Sequence, residues 1–263
     1  MMDILSEIIA SKRLHLEAAK RVLPLEQLRA TALEARADAK AHALRNALTG
    51  DHINIIAEFK RRSPSKGTIR ENADAATIAR SYESAGAAAI SVLTEENYFT
   101  GSLDDLRAVR EVVSIPILRK DFIFDEYQVY ESAAAGADAL LLIVAALDDE
   151  TLARLLRLTE EELGMDALVE VHTKEEMERA IAHGAKLIGV NNRDLRTFKV
   201  STETSVDLAQ SASAGPVLVS ESGLTPTEVR KLRAVGYRGF LVGEALMRAE
   251  DPEGQLRAFR GEN

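Results

Sequence analysis

Cysteine is absent from the 263 residues, and so is tryptophan. Without cysteine the chain makes no disulfide and offers no thiolate to a metal, and nothing in its make-up points to secretion. No segment approaches the roughly 20 consecutive apolar residues that span a bilayer. The opening stretch, MMDILSEIIASKRLHLEAAK, is charged throughout and has no small-residue cleavage site. Positive charge is in deficit as well. A formal net charge of −9 disfavours nucleic acid or an anionic membrane surface as a partner, because neither attracts an acidic protein. A cytoplasmic protein is the expectation.

What is present is material for a large core, with 46% hydrophobic and 29% charged residues. Residues 3 to about 48 read as helices, with Ile4, Leu5, Ile8 and Ile9 on one face and Pro24 separating two of them. From Ile53 onward, short apolar runs alternate with helical stretches. The runs are 53–57, 88–93, 117–118, 139–144, 167–169, 187–190, 217–220 and 239–242. Nearly continuous apolarity suits parallel strands buried on both faces. A glycine closes a helix just before every second run, at Gly86, Gly136, Gly184 and Gly236, spaced 50, 48 and 52 residues apart. Each β-α unit therefore takes roughly 25 residues, and eight such units favour a closed barrel over an open doubly wound sheet. No GxGxxG follows the first run, which weakens a dinucleotide fold further. The expected architecture is a single α/β domain over 1–263: a (β/α)8 TIM barrel over 53–250 behind an N-terminal helical extension over 1–48.

In such a barrel the chemistry gathers at the carboxyl ends of the strands. The richest of these ends is IIAEFKRRSPSKGT, residues 55–68, where alternation sends Glu58 and Lys60 the same way, beside Ser63. The other ends supply Thr94 and Glu95, followed by Phe99; Lys120, with Asp121 and Phe122; Glu170; Asn191 and Asn192; Glu221, Ser222 and Gly223; and Gly243 and Glu244. Any one of these charges is commonly a solvated or paired residue. Four of them, Glu58, Lys60, Lys120 and Glu170, placed where side chains point inward are costly to desolvate without a ligand or a task. The last two ends precede helices, and free backbone N–H groups there suit a phosphate, although SGLTP also reads as an ordinary helix cap. The five histidines show no metal spacing, and His172, two residues after Glu170, has no histidine companion.

On these strand ends the chain resembles the indole-3-glycerol-phosphate synthase family. The matching segments are IIAEFKRRSPSKG, SVLTEENYFTGSLDDL, PILRKDFIFDEYQVYESAAAGADALLLI, ALVEVHT, IGVNNRDLRTF, LVSESGL and FLVGEALM, from about Ile55 to Met247. The resemblance implies a lyase that needs neither metal nor cofactor. Its substrate would be 1-(2-carboxyphenylamino)-1-deoxyribulose 5-phosphate, which undergoes ring closure, decarboxylation and dehydration in tryptophan biosynthesis. It implies Lys120 as general acid of ring closure, Glu170 as a proton-transfer group of the dehydration, and Lys60 as a second acid that also meets the phosphate. Glu58 and Asn191 would orient these groups. Ser63, Phe99, Phe122 and Ser222 would touch the substrate, and Gly223, Gly243 and Glu244 would offer backbone N–H groups to its phosphate.

Two other readings stand beside this one. An aldolase-like barrel would use Lys120 or Lys60 as a Schiff base with a phosphorylated keto sugar. A silent barrel would bind the phosphometabolite without turning it over. Neither the oligomeric state nor association with other enzymes follows from the sequence; a monomer is compatible with it.

Overall fold

In a computed structural model of the chain, which describes residues 4–194, 197–212 and 215–262, the eight apolar runs pair into one closed parallel barrel. We number its strands β1 (Asn54–Phe59), β2 (Ala89–Leu93), β3 (Ile117–Lys120), β4 (Ala139–Ile143), β5 (Asp166–Val171), β6 (Leu187–Asn191), β7 (Val217–Glu221) and β8 (Gly239–Val242). Each strand neighbours the next in sequence, and β8 closes against β1. Among the described residues the only other paired segments of two or more residues form a ribbon, Arg62–Ser63 with Gly67–Thr68, directly after β1.

Several strands run further than their apolar stretches. β1 reaches Phe59, β3 Lys120, β5 Val171, β6 Asn191 and β7 Glu221. A parallel ladder is held by backbone groups, so it continues through polar side chains as long as both neighbours stay paired. The register aligns Leu93 with Lys120, Ile143 with Glu170 and Asn191 with Glu221. The polar residues are thus locked into the sheet rather than carried on loops.

Alternation along each strand divides the core in two. Ile56, Leu118, Leu141, Leu168, Leu187, Val219 and Leu241 fill the barrel interior, while their sequence neighbours pack against the surrounding helices. Two residues beyond the interior leucine or isoleucine on β1, β3 and β5 come Glu58, Lys120 and Glu170. A layer of charge therefore rests on a layer of aliphatic side chains. The four predicted helix-closing glycines all have positive φ, between +81° and +109°. That is the left-handed turn glycine adopts at least cost.

The N-terminal extension forms α1 (Ile4–Val22), α2 (Leu25–Arg36) and α3 (Ala43–Ala47); residues 1–3 lie outside the described residues. α1 crosses the mouth, where the buried Lys12 Nζ donates to Asp121 Oδ2 at 2.8 Å and Glu96 Oε2 at 3.0 Å. α2 lies along the helix Glu126–Ala134, with the Arg29 guanidinium over the Tyr130 ring. α3 then closes the floor, inserting Leu44 and Leu48 into the barrel interior. The extension thus reaches both ends of the barrel. None of the described helices is long and apolar enough to cross a membrane.

Candidate active site

A cavity of about 660 Å³ opens at the carboxyl ends of the strands. All the site residues predicted from sequence line it: Glu58, Lys60, Ser63, Phe99, Lys120, Phe122, Glu170, Asn191, Ser222, Gly223, Gly243 and Glu244.

Its charged centre is built on Lys120. Nζ of this residue, at the tip of β3, donates to Glu170 Oε2 and to Glu221 Oε2, each at 2.8 Å. Burial works against the ammonium charge, but the nearby carboxylates Glu170, Glu221 and Glu58 outweigh it and push the lysine above its ordinary value. The two acids sharing this lysine diverge. Burial works to raise Glu170, yet Lys120, His172 and the Asn191 amide, which donates to Oε1 at 3.1 Å, hold it down at about 2. Glu221 is buried too, its Oε1 has no hydrogen-bond partner, and the Glu170 charge faces it; it is pushed up to about 7. The same lysine thus meets one carboxylate shifted down and one shifted up.

Lys60 stands just beyond β1 and donates to Glu58 Oε1 at 2.5 Å. Room for the Glu58 carboxylate comes from Gly243, where any Cβ would lie 2.3 Å from Glu58 Oε1. Gly189 on β6 does the same for Glu221, at 2.2 Å. The adjacent Arg61 is occupied elsewhere. Its guanidinium lies over the Phe59 ring and makes a two-pronged pair with Asp105.

One end of the cavity is apolar. Phe99 and Phe122 approach with ring centroids 6.2 Å apart, and Leu93, Leu141, Ile143 and the α1 residues Ile4, Leu5 and Ile8 continue the wall. Glu95, buried behind this wall, accepts the backbone N–H groups of Asn97, Tyr98 and Phe99, which fixes the turn that presents Phe99. The opposite end is lined by Ser63, Ser222, Gly223, Gly243 and Glu244. Ser222 and Gly223 both have positive φ, +67° and +71°, uncommon for a serine. The buried Asn192 amide holds this turn by donating to the carbonyls of Glu221 and Ser222. Thr225 caps the helix Pro226–Ala234, as the SGLTP pattern suggests, and its hydroxyl accepts from the Glu228 N–H. The Glu244 carboxylate turns to Arg248 and Lys66, leaving its main chain beside the cavity.

Three contributors were missing from the predicted set. Glu221 stood among the strand-end residues but was given no role; the glycine two residues before Asn191 is its signal, since the missing side chain leaves the space Glu221 occupies. Arg193, two residues after Asn191, also lines the cavity, and so does Lys66 in the ribbon turn. Among the described residues no three His, Asp or Glu side chains are grouped as metal ligands would be.

The chain is similar throughout to one group of proteins. The family model described as indole-3-glycerol phosphate synthase matches residues 5–259. Proteins named indole-3-glycerol phosphate synthase from Micrococcus luteus and Carboxydothermus hydrogenoformans are 49% and 48% identical to it. They cover 98% and 94% of this chain and 97% and 96% of their own. Among solved structures, a 3-hexulose-6-phosphate synthase from Salmonella typhimurium superposes with a TM-score of 0.65 at 14% identity, over 80% of this chain and 97% of that one. A KGPDC from Streptococcus mutans gives 0.62 at 16%, over 80% and 97%. At such identities the likeness is one of fold.

Proposed function

This chain belongs to the indole-3-glycerol phosphate synthase family, a carboxy-lyase of tryptophan biosynthesis acting on a phosphorylated small molecule, and on that premise we propose how its residues divide the reaction. The ring carbon bearing the carboxylate attacks the ketone, and the developing alkoxide needs a proton. Lys120 supplies it as general acid. Carbon dioxide then leaves and restores the aromatic ring. Loss of the hydroxyl as water needs a second acid, Lys60, and a base to remove a proton, Glu170. Asn191 orients Glu170, and Glu58 orients Lys60. Glu221, on the other side of Lys120, exchanges a proton with that lysine and restores it between turnovers.

Phe99 and Phe122 take the aromatic ring and exclude water from the reacting carbons. Ser63 and Ser222 contact the chain of the substrate. Its phosphate lies among the backbone N–H groups of Gly223, Gly243 and Glu244, within reach of Lys60. The whole chain works as one unit in the cytoplasm, and a monomer suffices, because every group named comes from one chain.

The observation that carries this reading is Lys120 Nζ held at 2.8 Å from both Glu170 and Glu221 in the cavity at the barrel mouth. The test is indole fluorescence on mixing the protein with 1-(2-carboxyphenylamino)-1-deoxyribulose 5-phosphate, against a background free of tryptophan. Emission is expected from the wild type with or without EDTA, and Lys120→Ala is expected to lose roughly 10²- to 10⁴-fold. Binding with no indole formed would remove the assignment of roles, and borohydride trapping of a lysine adduct would favour the Schiff-base alternative.

A further inference from the structure

His172, one residue past the end of β5, is absorbed by none of these roles, yet its ring lies beside the reacting groups. Its side chain is 12% exposed. Nε2 stands 3.5 Å from Glu170 Oε1, and Nδ1 stands 3.4 Å from Glu176 Oε2. Both ring nitrogens are buried and neither makes a hydrogen bond; the two carboxylates face them at ion-pair distance. Glu176 is fixed in place, because its Oε2 accepts the backbone N–H of His172 at 2.7 Å in the first turn of the helix Lys174–Ala182.

Proton inventory decides the state of the ring. A neutral imidazole has one N–H and one lone pair, so one nitrogen would aim a lone pair at a carboxylate oxygen. Only the doubly protonated ring offers a proton to each side. We propose that His172 is a positioning residue for the reaction, an imidazolium wedged between Glu170 and Glu176 that holds the Glu170 carboxylate against Lys120. The groups facing it are Glu170 from its own strand, Glu176 from the helix that follows, Glu221 from β7 and, behind Glu170, Lys120 from β3. Burial opposes the imidazolium, but the carboxylates prevail and raise its affinity for the proton above the ordinary histidine value. One oxygen of Glu170 accepts from Asn191 and faces His172 at 3.5 Å while the other accepts from Lys120, an arrangement that restrains the carboxylate against rotation when substrate enters.

The inference rests on Glu170 being a proton-transfer group, and the experiment separates the two. Wild-type turnover is measured first; its absence would overturn the catalytic reading itself. His172→Gln is then compared with the wild type across pH 5 to 9, with Glu176→Gln alongside as a variant that touches no reacting group. The kcat of His172→Gln is expected to fall roughly tenfold at low pH, where the wild-type ring is charged, and the deficit is expected to close as pH rises through the imidazolium's pKa. Glu176→Gln should narrow the pH range of full activity from the alkaline side, and it carries the test if His172→Gln does not fold. Nitrogen NMR of the wild type should show both ring nitrogens of His172 protonated at pH 7. A deficit constant across pH, or a neutral His172 ring at pH 7, would overturn the proposal and leave the residue as packing.

Discussion

The two ends of β5 carry the same chemistry shifted in opposite directions. Asp166 opens the strand at the barrel floor and Glu170 approaches its end at the mouth, and both carboxylates are buried. Burial raises Asp166 against a backbone N–H bond from Arg45 and against the charges of Arg45 and His42, which stand 3.7 and 3.5 Å away. Glu170, with Lys120 at 2.8 Å, is lowered. Glu221, as close to Lys120 as Glu170 is and yet raised, shows that a cation contact does not decide the matter alone; burial and a neighbouring carboxylate count beside it. At the floor the carboxylate anchors the extension. At the mouth it faces a cavity.

The comparison is broken most severely at the mouth. Glu170→Gln keeps the shape but removes the proton acceptor and the charge beside the buried Lys120, so kcat is expected to fall by roughly 10²-fold or more and the melting temperature to fall with it. Steady-state rates beside calorimetry check this. Glu221→Gln probes the second acid. Its folded pKa of about 7 lies above the unfolded value, so its stabilising contribution is complete below about 4.5 and is lost as pH rises through 7. The variant is therefore expected to gain on the wild type by up to about 3 kcal/mol between pH 5 and pH 8 in urea unfolding. A difference that does not vary with pH would show that Glu221 is an ordinary ionised carboxylate. At the floor, Asp166→Ala leaves the Arg45 N–H without an acceptor and is expected to cost about 1 to 3 kcal/mol while kcat/KM stays within about twofold. Loss of turnover there would erase the distinction between the ends.

The strands were legible because eight apolar runs and four spaced glycines repeat one β-α unit, and the lysines and glutamates were legible because they follow those runs directly. What was hidden depends on geometry across strands. The partnership of Lys120 with Glu221 spans 101 positions and is written in no local pattern. Gly189 and Gly243 look like ordinary strand glycines until the carboxylates opposite them are seen. His172 lacked a second histidine and so failed as a metal ligand, whereas its partners are two carboxylates. The strand ends were set too short because apolar character was used as the boundary, although the hydrogen-bond ladder continues through charged residues. The extension's course from mouth to floor was equally out of reach, since Lys12 finds its acceptors just past β2 and β3, and Arg45 at the start of β5, far along the chain.

That course has a consequence for how the molecule comes into being. The first helices leave the ribosome before anything they bind: Lys12 waits 109 residues for Asp121, and Arg45 waits 121 for Asp166. Until then their amphipathic faces have only each other and the solvent. Contacts so distant in sequence close late, after the loop-closure entropy has been overcome. The extension is therefore seated at the mouth only once Asp121 has been made and at the floor only once Asp166 has, and a chain halted short of β5 carries an extension with no floor to seal.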